Sequence, residues 1–189
     1  WLDDMKLDHP LVIAGPCSAE TEEQVLRIAN ELKDTDVNYY RAGIWKPRTR
    51  PGMFEGVGAL GLKWLQKVKA ETGMKTCTEV ANAAHVKLAL EHDVDLLWIG
   101  ARSTVSPFIM QEIADALEGT DKIVLVKNPV NPDLALWLGG IERLYTAGVK
   151  NLGAIHRGFS TYEKTKYRNI PEWQLAIEFQ NKFPDLPLI

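Results

Sequence analysis

The sequence is poor in several features that would each have pointed to a class of function. It has two cysteines, Cys17 and Cys77, too few for a disulfide framework and without the paired spacing of a zinc site. No apolar run reaches the ~18 residues needed to cross a bilayer, and the first residues carry neither a basic nor an apolar segment of the export type. The expectation is a cytoplasmic protein with no membrane partner. Positive charge is not in surplus either: 22 Lys and Arg stand against 25 Asp and Glu, for a formal net charge of -3. That balance argues against a broad nucleic-acid-binding face, although a few clustered cations can hide inside an acidic average. No low-complexity tract, charge block or Gly/Ser linker marks a domain boundary. The first apolar run is followed by Gly15-Pro16-Cys17-Ser18, which is not G-x-G-x-x-G, so the dinucleotide fingerprint is missing as well.

What is present is an ordinary globular composition, 46% hydrophobic and 25% charged over 189 residues, enough for one domain with a sizeable core. It is arranged in a rhythm. Short apolar runs at Leu11–Ala14, Asn38–Ala42, Lys75–Val80, Leu96–Ile99, Ile123–Val126 and Leu152–Ile155 read as strands. Between them lie helical stripes, among them Val25, Ile28 and Leu32, then Leu60, Trp64, Leu65 and Val68, then Leu134, Trp137, Leu138, Ile141 and Tyr145. Thr21 to Gln24 has the spacing of a capping box, and Ser106-Pro107 offers a cap with proline at the first helical position. Asn131-Pro132 repeats that cap, Pro171 opens a last helix with Ile177 on its face, and Leu186–Ile189 begins one more strand. The interval is roughly 30 residues, the size of a βαβ unit. Strands that are apolar throughout, rather than alternating, fit a parallel sheet covered on both sides. An open doubly wound sheet and a (β/α)8 TIM barrel both satisfy this; without the dinucleotide fingerprint, the barrel is favoured.

In either closure, function collects just past the strand ends. Those positions hold Cys17 after the first strand, Arg41 and Lys46-Pro47-Arg48-Thr49 after the second, and Glu79 at the end of the third. Arg102 follows the fourth strand, Lys127 the fifth and His156-Arg157 the sixth. Lys and Arg at sheet exits are poorly solvated unless an anion or a carboxylate pairs them. One such cation is most simply a solvated loop residue; recurrence at strand after strand points to an anion site able to hold two anionic groups, such as two phosphates. Glu79 is either a salt-bridge partner within this cluster or a catalytic, water-orienting carboxylate. Cys17 by default is a packing cysteine, but beside cations it is a candidate for thiolate chemistry or metal ligation. Cys77 lies inside a strand and reads as core. His9, His85 and His92 have no partner motif and read as surface or capping residues. Trp64, Trp137 and Trp173 read as core, whereas Trp45, inside the basic loop, could wall the site.

Taken in order, Ala14-Gly15-Pro16-Cys17-Ser18, Arg41 with Lys46-Pro47-Arg48-Thr49, Gly100-Ala101-Arg102, Val126-Lys127-Asn128 and His156-Arg157-Gly158 resemble 3-deoxy-D-arabino-heptulosonate 7-phosphate (DAHP) synthases of the short type I-beta branch. The resemblance covers nearly the whole chain. It implies a metal-dependent (β/α)8 transferase at the entry to the shikimate pathway, condensing phosphoenolpyruvate with erythrose 4-phosphate. By that resemblance Arg102, Lys127 and Arg157 hold phosphoenolpyruvate, with Arg41 beside them and Ala101 giving a backbone contact. Lys46, Arg48 and Thr49 hold erythrose 4-phosphate, and Glu79 helps to place the attacking water. Apart from the resemblance, Lys127 is a candidate proton donor or relay if it stands close to that water. Cys17 is implied as a ligand of a divalent metal such as manganese.

The family's other metal ligands come from the seventh and eighth strand regions. The expectation is therefore that residues 1–189 form a DAHP synthase-like barrel domain of roughly six and a half βα units, incomplete at its C-terminal side, against the ~250 residues of a full barrel. His156 belongs to the substrate motif and does not replace the missing His ligand. A homo-oligomer is the usual state of such barrels, and some members are fused to a chorismate mutase domain, which would lie outside this chain. Two other readings stay open. One is 3-deoxy-D-manno-octulosonate 8-phosphate synthase, which usually differs where Lys46-Pro47-Arg48-Thr49 stands. The other is a non-catalytic sugar-phosphate-binding barrel fragment completed by another chain.

Overall fold

The six apolar runs from Leu11–Ala14 to Leu152–Ile155 each form a strand, with ends shifted by no more than two residues, whereas Leu186–Ile189 makes only an isolated bridge at Leu188. In chain order the strands are β1 (Ile13–Ala14), β2 (Tyr39–Arg41), β3 (Lys75–Val80), β4 (Leu96–Ile99), β5 (Ile123–Lys127) and β6 (Leu152–Ile155). The helices are α1 (Glu22–Leu32), α2 (Leu60–Thr72), α3 (Ala83–Glu91), α4 (Ala101–Thr104), α5 (Pro107–Leu117), α6 (Leu134–Thr146) and α7 (Trp173–Lys182). Strand order follows chain order from β1 to β6, the topology of an α/β protein built from successive βα units. The computed structural model describes residues 1–189. They divide into two units, residues 1–80 with 84–97, and residues 81–83 with 98–189.

In the first unit β1, β2 and β3 pair in parallel, with Ile13 opposite Tyr39, Tyr40 opposite Thr76 and Arg41 opposite Cys77. Tyr39 and Tyr40 are buried, and α2 covers the unit with Leu62, Trp64, Leu65 and Val68. Each such side chain contributes roughly 1.5–3 kcal/mol by leaving water. The polar groups that must go inside are partnered. Tyr40 donates its hydroxyl to Val25 O at 2.8 Å and Thr78 donates to Ala42 O at 2.8 Å. Asp95 accepts from the Thr76 N–H at 2.8 Å while it pairs with Lys69 at 3.1 Å. Thr21 caps α1 by accepting from the Gln24 N–H, and Gln24 reaches back to accept from the Glu20 N–H, so the capping spacing does its expected work.

In the second unit β5 and β6 pair in parallel from Val124 opposite Leu152 to Lys127 opposite Ile155. Beyond β6 the segment at Leu188 bridges Ala154 in parallel, where the sequence places the beginning of another strand. The core gathers Val124, Leu125, Val126, Trp137, Phe159 and Phe179, with the Trp137 and Phe179 rings stacked at 4.0 Å between centroids.

Several helix details differ from the sequence reading. Asp133, not Asn131, caps α6, accepting from the Leu136 N–H at 3.0 Å. α7 begins at Trp173, after a left-handed Glu172 with φ of 45°, rather than at Pro171. It buries Ala176 and Phe179 and leaves Trp173 65% and Ile177 54% exposed. Leu60 and Tyr145 are exposed too. A stripe of apolar residues is wider than the strip of helix that meets the core, so periodicity alone does not choose which edge is covered. No helix is long and apolar enough to cross a membrane.

Candidate functional site

The residues picked out at strand exits fall into two sets, one on each unit. In the first unit the chain leaves β1 through Gly15-Pro16-Cys17. Gly15 is required there: its φ is +144°, and a Cβ would sit 2.0 Å from Arg41 O. This close approach carries Cys17 to the end of β2. Lys46 Nζ donates to Cys17 O at 2.6 Å and lies 3.4 Å from Cys17 Sγ. Arg41 Nη2 reaches the same carbonyl at 3.4 Å. Two cations of the sequence set therefore converge on one backbone oxygen, beside an exposed thiol.

The loop after β2 is folded back on itself rather than extended. Lys46 N donates to Glu55 O at 2.8 Å, Gly58 N to Ile44 O at 2.9 Å, and Ala19 N to Gly43 O at 3.0 Å. Arg48 Nε donates to Phe54 O at 2.8 Å across this fold. Arg48 and Thr49 are exposed at the loop surface, while Arg41, Lys46 and Glu79 are half-buried. Trp45 stacks on His85 with 3.9 Å between centroids and 6° between planes. The imidazole is thus not a surface group: burial lowers its pKa from the ordinary value, so the neutral ring is favoured. Burial likewise pushes the Cys77 thiol up, against a smaller opposite pull from Arg41. Cys77 is held as a protonated packing residue, as expected from its place inside β3.

In the second unit Ala101 and Arg102 lie in the four-residue helix α4, with Ala101 buried and Arg102 exposed. Lys127 ends β5; its ammonium stands 5.1 Å from the Trp98 ring centroid and its carbonyl accepts from Thr104 Oγ1 at 2.9 Å. Arg157 follows β6 and is half-buried. Its N–H donates to Asn128 Oδ1 at 2.7 Å and its Nη2 donates to Asn169 Oδ1 at 2.8 Å. Asn128 is fully buried, and its amide nitrogen donates to Gly158 O and Pro129 O, both at 2.8 Å. His156 has its Nε2 against Pro171 O at 2.5 Å and sits among the rings of Trp137, Phe159 and Trp173. It is occupied in packing the loop that follows.

Asn169 has no place in the sequence reading, His85 is read there as a surface or capping residue, and Asn128 stands there only as part of a motif. A polar residue directly after an apolar strand is a weak signal for Asn128, because buried amides need partners. For Asn169 and His85 no local signal exists.

A divalent metal centre needs several converging oxygen, nitrogen or sulfur donors. No group of three or more His, Cys, Asp or Glu side chains converges here, and the Cys17 sulfur accepts from the Lys46 ammonium at 3.4 Å. The donors of this chain do not make such a centre.

The model of the DAHP synthetase I family matches residues 6–187. Phospho-2-dehydro-3-deoxyheptonate aldolase of Thermotoga maritima is 30% identical over 165 residues, 86% of this chain and 47% of that protein. A 2-dehydro-3-deoxyphosphooctonate aldolase of Campylobacter jejuni is 35% identical over 98 residues, 48% of this chain and 36% of its own length. The crystal structure of the Thermotoga maritima DAHP synthase superposes with a TM-score of 0.76 at 27% identity, over 90% of this chain and 48% of that one. A truncated form of the same enzyme gives 0.73 at 26% identity, over 90% and 60%. The fold class is that of these (β/α) barrels, and the chain spans about half the length of the curated relatives it matches.

Proposed function

Because the chain belongs to the DAHP synthetase I family, we propose that it supplies the substrate-binding residues of a DAHP synthase, which joins phosphoenolpyruvate to erythrose 4-phosphate and releases phosphate. The observation that carries this reading is the ordering of cations just past the strand ends within each unit. In the first, Arg41 and Lys46 meet at Cys17 O; in the second, Arg157 is held through both its N–H and its guanidinium.

Lys46, Arg48 and Thr49 are assigned to the phosphate of erythrose 4-phosphate, and Arg102, Lys127 and Arg157 to the phosphate and carboxylate of phosphoenolpyruvate; Arg41 and the Ala101 backbone are assigned to the same substrate. The folded-back loop supports the first assignment, because it fixes Lys46 and Arg48 before a ligand arrives. Much of the work in this condensation is to hold two mutually repelling anions in contact, which prepositioned cations do at little reorganisation cost. The enol carbon of phosphoenolpyruvate bonds to the aldehyde carbon, water adds to the carbon that bore the enol oxygen, and phosphate leaves with cleavage of its C–O bond. Glu79 is assigned to placing that water, and Lys127 to donating a proton to the new alkoxide or relaying one. Manganese or another divalent ion is an expectation of the resemblance, with Cys17 as its one ligand in this chain; the donors present do not form a centre.

The test is consumption of phosphoenolpyruvate by the full-length protein with erythrose 4-phosphate, and in parallel with arabinose 5-phosphate. Turnover with the first supports the reading. Turnover with arabinose 5-phosphate alone would move the protein to 3-deoxy-D-manno-octulosonate 8-phosphate synthesis, a second reading kept by the likeness to octulosonate aldolases over about half of the chain.

A further inference from the structure

The segment after Arg157 makes an excursion within the second unit and closes it in a way that serves Arg157. The chain departs at Phe159 and comes back at Ile170, and the two residues close the excursion by exchanging hydrogen bonds of 2.7 Å and 2.8 Å. The departing side is fixed: Phe159 is 1% exposed, its ring edge-on to Trp137 at 6.4 Å between centroids, and Ser160 N donates to Val130 O. The returning side passes over Gly158, where a Cβ would stand 2.8 Å from Ile170 O and 3.2 Å from the Asn169 Cβ. That contact sets Asn169 beside Arg157, and its Oδ1 accepts from Arg157 Nη2 at 2.8 Å.

Arg157 is thereby held by two asparagines from two segments, besides a longer contact of its Nη1 with Gly158 O at 3.4 Å. Asn128, after β5, fixes its N–H, and Asn169, at the end of the excursion, fixes its guanidinium. An arginine side chain is rich in rotamers, and a substrate anion would otherwise have to remove that freedom on binding. The partner chosen is an amide. It accepts from the guanidinium without cancelling its charge, whereas a carboxylate in the same place would compete with the ligand.

We infer that Asn169 is a positioning residue for Arg157, aiming the guanidinium at an anionic substrate. The inference rests on the proposed reading of Arg157 as a phosphoenolpyruvate ligand, and it names a residue which that reading does not use.

The test is phosphoenolpyruvate binding to the full-length protein by calorimetry, with steady-state kinetics alongside. Loss of one charge-assisted hydrogen bond predicts that Asn169→Ala raises Kd and KM for phosphoenolpyruvate about tenfold. The KM for erythrose 4-phosphate and kcat should stay within about threefold. In an Arg157→Ala background the added Asn169→Ala should change Kd less than about twofold, because Asn169 acts through Arg157. Asn169→Asp keeps the acceptor and the fold but adds a charge, and should weaken phosphoenolpyruvate at least as much as alanine does. Equal losses in both backgrounds, or wild-type affinity in either Asn169 variant, overturn the inference while leaving the functional reading intact. A wild-type protein that does not bind phosphoenolpyruvate overturns the reading and the inference with it.

Discussion

Asn128 offers the sharpest test of how the second unit is held together at its candidate site. Its side chain is fully buried and makes three hydrogen bonds, accepting from Arg157 N at 2.7 Å and donating to Gly158 O and Pro129 O at 2.8 Å each. Asn128→Ala removes all three at once. An N–H left without its acceptor in a buried setting costs about 1–3 kcal/mol, and a carbonyl less, since it keeps a second lone pair for other donors. Taking roughly 2 kcal/mol for Arg157 N–H and roughly 1 kcal/mol for the two carbonyls together gives a loss of about 3 kcal/mol, before any cavity term. Native stabilities run from about 5 to 15 kcal/mol, so the variant should fold but sit close to the edge. The assay is urea denaturation followed by circular dichroism, with a lower midpoint and an unchanged slope; in a thermal scan the midpoint should fall by about 6–12 °C. Asn128→Asp should be at least as damaging, because it keeps the acceptor but loses both donations and introduces a buried charge. A loss below about 1 kcal/mol for Asn128→Ala would refute the reasoning, since it would mean that water or a rearranged loop replaces the three bonds at little cost.

Three further outcomes follow from the same geometry. Gly15→Ala places a methyl 2.0 Å from Arg41 O at a φ of +144°, and should lower the melting temperature and weaken phosphoenolpyruvate binding together; an unchanged melt would mean that β1 and β2 can part there freely. Lys46→Ala, assayed by steady-state kinetics, should raise the KM for erythrose 4-phosphate about tenfold or more with the Kd for phosphoenolpyruvate little changed, and the reverse pattern would exchange the two substrate assignments. His85 is held below its ordinary pKa by burial, so between the native and unfolded values the unfolded chain binds a proton that the folded chain does not. That stabilising contribution is complete above about pH 6.5 and is lost as the pH falls towards the native value. His85→Phe, which keeps a ring against Trp45, should flatten this part of the urea midpoint against pH; a variant with the wild-type slope would assign it to other groups.

The helices show how far local pattern reaches. Thr21 and Ser106 were recognisable as caps because the bond to be made spans three residues of chain. Trp173 and Ile177 were misjudged because the exposed and buried sides of α7 are both apolar, and which side meets the core depends on elements far away in the sequence. The same contrast runs through the candidate site. Arg41, Lys46, Arg48, Arg102, Lys127 and Arg157 stand in the sequence at strand exits, which the βα rhythm locates without any coordinates. Their supports do not. His85 stacks on Trp45, forty positions away along the chain, and Asn169 meets Arg157 only because Gly158 lets a returning segment pass close by.

By itself, then, the sequence determined the class of fold, the order of the strands and the set of cations offered at their ends, because apolar period, turn residues and charge placement act over a few neighbouring positions. Which of those cations are held still, and by what, follows from contacts made in three dimensions. Lys46 and Arg41 share Cys17 O, Arg157 lies between two asparagines, and the Cys17 sulfur has an ammonium beside it. Those contacts join residues distant along the chain, and their geometry is set by how the segments pack, which no local pattern encodes.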